Sequence, residues 1–156
     1  MRLSCLVVLA LFAAQPASGQ TLTPHQRLAR EIYSELISIN TADSVGAVTP
    51  AAEAMAKRFR AAGFPESDVR ILVPEGKPKK GNLVVRYRGR GGPGAAKPIL
   101  LLAHLDVVAA LRSDWPRDPF TLHEENGYFL GRGTSDDKSK FGSVEASRPV
   151  EVAAMA

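Results

Sequence analysis

Ile99-Leu100-Leu101-Leu102-Ala103 runs without a polar residue into His104-Leu105-Asp106-Val107-Val108, and this stretch decides the fold. Five apolar residues in a row predict a strand buried on both faces, as in the interior of an α/β sheet. The run ends on an imidazole and a carboxylate two residues apart. In extended chain such a pair points to one side. Ligands of open α/β sheets gather beyond the carboxyl ends of the strands, which is where His104 and Asp106 are expected.

The flanking segments support an α/β layer fold. Thr23-Pro24-His25-Gln26 predicts a helix start, with Thr23 as cap, Pro24 in the first turn and Gln26 closing a capping box. Leu28, Ile32, Leu36 and Ile39 follow at helical spacing, and Asn40-Thr41 ends the helix. Thr49-Pro50 repeats the start signal. Met55, Phe59 and Ala62 mark the buried face of a second helix, which Gly63 stops. The period then changes. Val69 to Val73 and Asn82 to Tyr87 are strand-like, joined by a Pro, Gly and Lys turn from Glu75 to Lys80. A Gly/Pro loop from Arg88 to Lys97 leads into the apolar run. No internal repeat and no long low-complexity segment interrupts this order.

The chain has 156 residues, 45% hydrophobic and 23% charged, which fits one globular domain or part of a larger one. The net charge is +4, and much of it lies in Lys77, Lys79, Lys80, Arg86, Arg88 and Arg90. Only Tyr87 interleaves these with an aromatic ring, so the cluster is expected to be a solvated hairpin that guards a sheet edge, not a nucleic-acid surface. Residues 1–19 have the form of a secretory signal peptide. A basic Arg2 precedes the apolar run from Leu6 to Ala14, Pro16 breaks it, and Ala17-Ser18-Gly19 offers a small-residue cleavage site. The run is shorter than the ~20 residues of a membrane span. The expectation is therefore a secreted or periplasmic protein with no stable membrane span. Cys5, the only cysteine, lies inside this segment. A mature chain would hold metal through His, Asp and Glu alone.

Gly131-Arg132-Gly133-Thr134-Ser135-Asp136-Asp137-Lys138 gives His104 a context it lacks by itself. The glycines permit a tight loop that projects Asp136 back toward the end of the buried strand. One carboxylate can span the ~3.5–4 Å between the ions of a two-metal site. Asp137 is expected to point elsewhere, as a solvent or helix N-terminal charge. A phosphate-loop reading fails, because the G-x-x-x-x-G-K-[ST] spacing is absent.

Taken with Trp115, Asp118-Pro119-Phe120 and Gly127-Tyr128-Phe129, these two motifs stand in one order over residues 23–138. That order resembles the N-terminal part of the acetylornithine deacetylase / succinyl-diaminopimelate desuccinylase / aminoacylase family of zinc metallopeptidases, which includes glutamate carboxypeptidases. Ala109 departs from the family by replacing a proline that supplies no ligand. The resemblance implies that His104 ligates one zinc, that Asp136 bridges two, and that Asp106 is the catalytic-site carboxylate beside His104. It implies a zinc-dependent hydrolase of C–N bonds in peptides or N-acyl amino acids. The implied fold is a partial, truncated catalytic domain of the zinc-exopeptidase type, with helices packed on a mixed β-sheet. Trp115, Asp118, Pro119 and Phe120 are expected to be architecture of the loop after the strand.

Family members carry an adjacent Glu-Glu pair after the bridging Asp, one as general base and one as ligand, then a further acidic ligand and a later His. Here Glu124-Glu125 precedes Asp136 and is expected to form a surface turn. No histidine follows Asp136. His123 is expected to be a solvated residue of a polar turn, and His25 to be structural. Residues 139–156 form an atypical tail in which Gly142 and Pro149 oppose the long apolar helix the family has there. The expectation is a frameshift or premature stop, which an apolar helix and a Glu-Glu pair in another reading frame of the encoding DNA would bear out. Two functions stay open: a zinc metallopeptidase or amidohydrolase, inactive in this form, or a non-catalytic fragment or interaction module.

Overall fold

A computed structural model describes residues 21–89 and 97–140 and the backbone of residues 152–155. The segment expected to be a signal peptide, most of the tail and part of the glycine-proline loop lie outside the described residues.

Helix α1 spans Pro24–Ser38. Its start follows the sequence closely: the Thr23 hydroxyl accepts the Gln26 N–H, the Gln26 side chain accepts the Thr23 N–H, and Pro24 sits in the first turn. Ile32, Tyr33, Leu36 and Ile37 are its buried residues, whereas Leu28 is exposed near the N-terminal end. Helix α2 spans Thr49–Ala61. Thr49 does not cap it. Val48 occupies the cap position, and the Thr49 hydroxyl instead donates to the Pro78 carbonyl and accepts the Gly81 N–H. This ties the start of α2 to the lysine-rich turn. Met55 and Phe59 are buried as expected, Ala62 is exposed, and Gly63 leaves the helix at φ +90°.

Four strands form one sheet: β1 (Val69–Leu72), β2 (Asn82–Val85), β3 (Leu101–His104) and, from the tail, β6 (Val152–Met155). Their order is β1-β2-β6-β3. β2 runs antiparallel to β1 and to β6, and β3 runs parallel to β6, so the sheet is mixed. Two further strands, β4 (His123–Glu125) and β5 (Tyr128–Leu130), make a separate hairpin. Asn126 and Gly127 turn it with φ of 53° and 79°, the pair of positive angles a two-residue hairpin loop needs. The expected surface turn at Glu124-Glu125 is thus a strand, and so is the expected polar turn at His123. Glu124 pairs with Arg30 of α1 and Glu125 with Arg117 at 2.9 Å, while Nε2 of His123 is buried without a partner.

One face of the sheet is covered. α2 packs on β1 and β2, and Ile32, Leu36, Met55, Phe59, Val69, Leu83, Val85, Ala103 and Leu105 share one core. The other face corrects the expectation for the apolar run. β3 begins at Leu101, two residues later than the run, and lies at the sheet's edge. Ala103 is buried toward the helices, but Leu102 points the other way and is 54% exposed; Ile99 and Leu100, ahead of the strand, are 69% and 66% exposed. An unbroken apolar run records that both faces can be covered; it does not supply the cover. The two earlier strands are also shorter than the apolar pattern, ending at Leu72 and Val85.

The described part of the basic segment is solvated for the most part. Lys80 pairs with Asp43. Arg88 grips the buried Asp68 carboxylate with two bonds of 2.7 Å, and this guanidinium holds Asp68 below the usual carboxylate range. Among the described residues no helix is long and apolar enough to cross a membrane.

Candidate metal centre

The chain places His104 at the last position of β3 and brings the glycine loop back over it. Arg132 N–H donates to the Pro119 carbonyl at 2.6 Å, which pins the loop to the segment after β3. Asp118 braces that segment by accepting the Phe120 N–H at 2.8 Å. Gly133 has φ +89°, and a Cβ there would stand 2.9 Å from Val107 Cγ1 and 3.1 Å from Lys138 Cδ. Only glycine satisfies both the angle and the space. The loop thereby passes close enough for Asp136 to meet His104.

Three sequence-selected residues come together. His104 Nε2 lies 3.0 Å from Asp136 Oδ1. His104 Nδ1 lies 3.2 Å from Asp106 Oδ1 and 3.1 Å from the Asp106 carbonyl. Asp106 is therefore on the side of His104, as the two-residue spacing requires. Burial pulls the His104 imidazolium down, but the Asp106 carbonyl and the Asp136 and Asp106 carboxylates outweigh it, and the net shift is upward. The three residues line a cavity of about 410 Å³ with Val107, Val108 and residues 131–135. A larger cavity of about 590 Å³ lies between α1 and the β4–β5 hairpin and contains none of the three.

Asp137 and Lys138 are both buried. The peptide between Asp136 and Asp137 is cis. Asp136 faces solvent, at 81% side-chain exposure, and it is Asp137 that is buried. Its Oδ2 accepts the His104 backbone N–H at 3.2 Å and its Oδ1 pairs with Lys140 at 2.7 Å. Burial raises the Asp137 carboxyl, but Lys140 and the His104 N–H bring it below its ordinary value. The adjacent acid is thus a clamp on the backbone of His104 and not a solvent charge, and of the two expectations its place directly before the helical residues 138–140 agrees with the helix N-terminal one. Lys138 is fully buried, and Nζ donates to the Leu36 and Ile39 carbonyls at 2.7 and 2.9 Å. It ties the loop to the C-terminal end of α1. Tyr33 adds a second tie, its hydroxyl donating to the Thr134 carbonyl at 2.7 Å. Thr41 adds a third contact, donating to the Leu105 carbonyl at 2.6 Å directly below the site. His123 and His25 stand apart from this cavity.

One imidazole and two carboxylates are the nitrogen and oxygen donors that suit zinc. They meet pairwise around His104, and among the described residues no group of three or more His, Cys, Asp or Glu side chains converges to hold an ion. The donors fit such an ion in kind and fall short in number.

Residues 100–143 match the model of peptidase family M20/M25/M40. The acetylornithine deacetylase of Vibrio atlanticus is 34% identical over 131 residues, which cover 78% of this chain and 31% of that protein. The probable carboxypeptidase S-like 2 of Dictyostelium discoideum is 46% identical over 66 residues, 42% of this chain and 12% of that protein. The chain resembles the M20 peptidases. The fold agrees. An M20 metallo-carboxypeptidase from Sulfolobus solfataricus superimposes with a TM-score of 0.63 at 18% identity, over 81% of this chain and 30% of its own. The dipeptidase Dug1p of Saccharomyces cerevisiae does so with 0.55 at 19%, over 81% and 31%. The structure is thus a partial M20-type α/β fold, and it spans under a third of the length of these relatives. The family model covers both β3 and the glycine loop, the two segments that build the cavity.

Proposed function

We propose that His104 and Asp136 are zinc ligands of an amidohydrolase centre and that Asp106 is the carboxylate that orients His104 within it. The observation that carries this is the 3.0 Å approach of His104 Nε2 and Asp136 Oδ1, 32 residues apart in sequence, at the carboxyl end of β3. Asp106, at Nδ1, fixes which ring nitrogen faces Asp136. Asp137 holds the backbone of His104, and Lys138 holds the loop that carries Asp136. The chemistry such an ion supplies is polarisation of a scissile carbonyl and a water whose pKa is lowered toward ~7. The substrate class is a peptide or an N-acyl amino acid, by similarity to the relatives named as a probable carboxypeptidase and an acetylornithine deacetylase.

Zinc titration calorimetry tests the ligand assignment. The chain should bind zinc weakly, and His104→Ala and Asp136→Ala should each abolish the heat. Undiminished binding by His104→Ala would refute it.

The mature chain is proposed to begin near Gln20 and to be secreted or periplasmic, on the strength of the Ala17-Ser18-Gly19 site after an apolar run. Edman sequencing of protein exported from a heterologous host should read from near Gln20. An exported form that starts at Met1 would sink the proposal.

A second reading, a non-catalytic fragment or interaction module, is favoured by one specific feature. Among the described residues the cavity's imidazole and two carboxylates do not converge on one point, as the three protein ligands that typically hold zinc beside a water do. Under that reading residues 20–138 are part of a catalytic domain, and residues 139–156 add an atypical tail.

A further inference from the structure

β3 is an edge strand of the four-stranded sheet. From His104 onward its chain is held: the Asp137 carboxylate takes the His104 N–H, and Val107 bridges Ala42 in parallel. Ahead of His104 the edge is open. Among the described residues no strand lies beside Leu101 and Leu102 on the side away from β6. Ile99, Leu100 and Leu102 are each more than half exposed there. No charged residue occurs from Pro98 to Ala103. The opposite edge of the sheet differs. β1 carries the exposed Arg70, and the ion pair of Arg88 with Asp68 flanks its start.

A row of unpaired N–H and C=O groups is a template for another strand, and proteins guard such edges with charge, proline or cover. β1 is guarded by charge. β3 has only Pro98, which withholds one N–H ahead of the strand and leaves the residues after it free to pair. In an antiparallel pair, residues that face each other point to one side of the sheet. Leu102 points to the open face and Ala103 to the helices, so by alternation Leu100 lies on the open face and Leu101 on the helix side. A two-fold axis through Leu101 therefore sets Leu100 of each copy against Leu102 of the other. Leu101 then meets its own counterpart, and no like charges oppose. Leu102 also stands in register with Ala153 and, through it, with the exposed Val84, so the added Leu100 extends an apolar row across the sheet.

We propose that two copies of this chain pair antiparallel through residues 99–103 and join their sheets into one continuous sheet. The occupant of the edge is a second copy because the strand is complementary to itself: leucine meets leucine on both faces, and the uncharged stretch meets no repulsion. The dimer is isologous and closed, since the edges left at its two ends are the β1 strands with Arg70. Its contact is small, which places it among weak and reversible interfaces. In this register His104 of each copy lies opposite Pro98 of the other, so the two candidate metal cavities stay roughly 20 Å apart along the strands. The pairing stands whether or not the zinc reading holds.

Sedimentation equilibrium of the full 156-residue chain should show a reversible monomer–dimer equilibrium and nothing larger. Leu100→Lys and Leu102→Lys bring like charges near one another across the two-fold, and each should weaken the dimer by roughly tenfold or more. Leu100 precedes β3, so its substitution leaves the strand intact and decides the matter should Leu102→Lys unfold. Two controls address rival sources of association. Tyr128→Lys, at an exposed apolar site on β5, and Leu9→Asp, in the apolar run of residues 6–14, should both leave the dimer unchanged. Leu101→Cys, combined with Cys5→Ser to remove the only native thiol, should cross-link copy to copy on mild oxidation, as the symmetric register requires. The proposal is overturned by a chain that stays monomeric at about 1 mM, or by association that continues past the dimer. A dimer as tight in Leu100→Lys as in the unmodified chain, a dimer lost in Tyr128→Lys or Leu9→Asp, or no cross-link through Leu101→Cys would equally overturn it.

Discussion

Lys138→Met is expected to lower the unfolding free energy of the chain by about 2–4 kcal/mol. Lys138 has no solvent exposure, and its ammonium donates to the carbonyls of Leu36 and Ile39. Leu36 lies in the last turn of α1 and Ile39 is the residue that caps it, so the ammonium meets carbonyls at the helix's C-terminal end. They also mark the negative end of the helix dipole, where a cation is stabilised. Burial pushes the Lys138 ammonium down to about 8, which leaves it charged at neutral pH. Methionine fills similar volume but donates nothing. The Leu36 carbonyl keeps a long 3.4 Å bond from the Ile39 N–H, and the Ile39 carbonyl would lose the donor that Lys138 supplies. Relief of the buried charge offsets part of the loss, which is why the expected value is not larger. Urea unfolding monitored by circular dichroism measures it. Lys57→Met, on the exposed side of α2, should stay within about 0.5 kcal/mol of the unmodified chain. Equal midpoints for Lys138→Met and the unmodified chain would show that the lysine is not a structural tie.

Why Lys138 escaped the sequence reading is a physical matter. Lysine in a polar loop is nearly always solvated, and nothing local distinguishes the one that turns inward. Its partners are main-chain carbonyls of a helix about a hundred residues earlier. The same holds for Asp136 and Asp137. Two adjacent acids cannot be sorted into exposed and buried from spacing alone, and the buried one accepts a backbone N–H from β3 that sequence does not announce. What was legible is governed by short-range rules. The capping box of α1, the stop at Gly63 and the pairing of His104 with Asp106 each depend on a few consecutive residues. The approach of Asp136 to His104 was legible for a different reason: the glycines of the loop had no better use than a close return to the strand. The strand β6 in the middle of the sheet was not legible, because Val152–Met155 is a short run of small and apolar residues after Pro149, with no alternation to mark it. Leu102 shows the opposite failure. A strong local pattern predicted cover on two faces, and tertiary packing gave it one.

The purified 156-residue polypeptide, supplied with zinc, is expected to hydrolyse dipeptides and N-acyl amino acids no faster than buffer. The cavity around His104 contains two carboxylates, and both already lie against the imidazole. None of its described lining residues is a glutamate. Glu124 and Glu125, the only adjacent glutamates in the chain, sit on the β4–β5 hairpin and pair with Arg30 and Arg117. A base must come within hydrogen-bond reach of the water it deprotonates, and no described glutamate does so here. Loss of one positioned acid-base group typically costs ~10²–10⁴-fold in rate. A shortage of zinc ligands compounds this, because an ion held by two side chains exchanges with solvent and fixes neither water nor carbonyl. Release of the free amino acid, followed by ninhydrin or chromatography with and without a chelator, measures turnover. Chelator-sensitive hydrolysis that His104→Ala removes would overturn this expectation, and it would require a carboxylate from elsewhere in the chain, or from a second copy, to complete the centre.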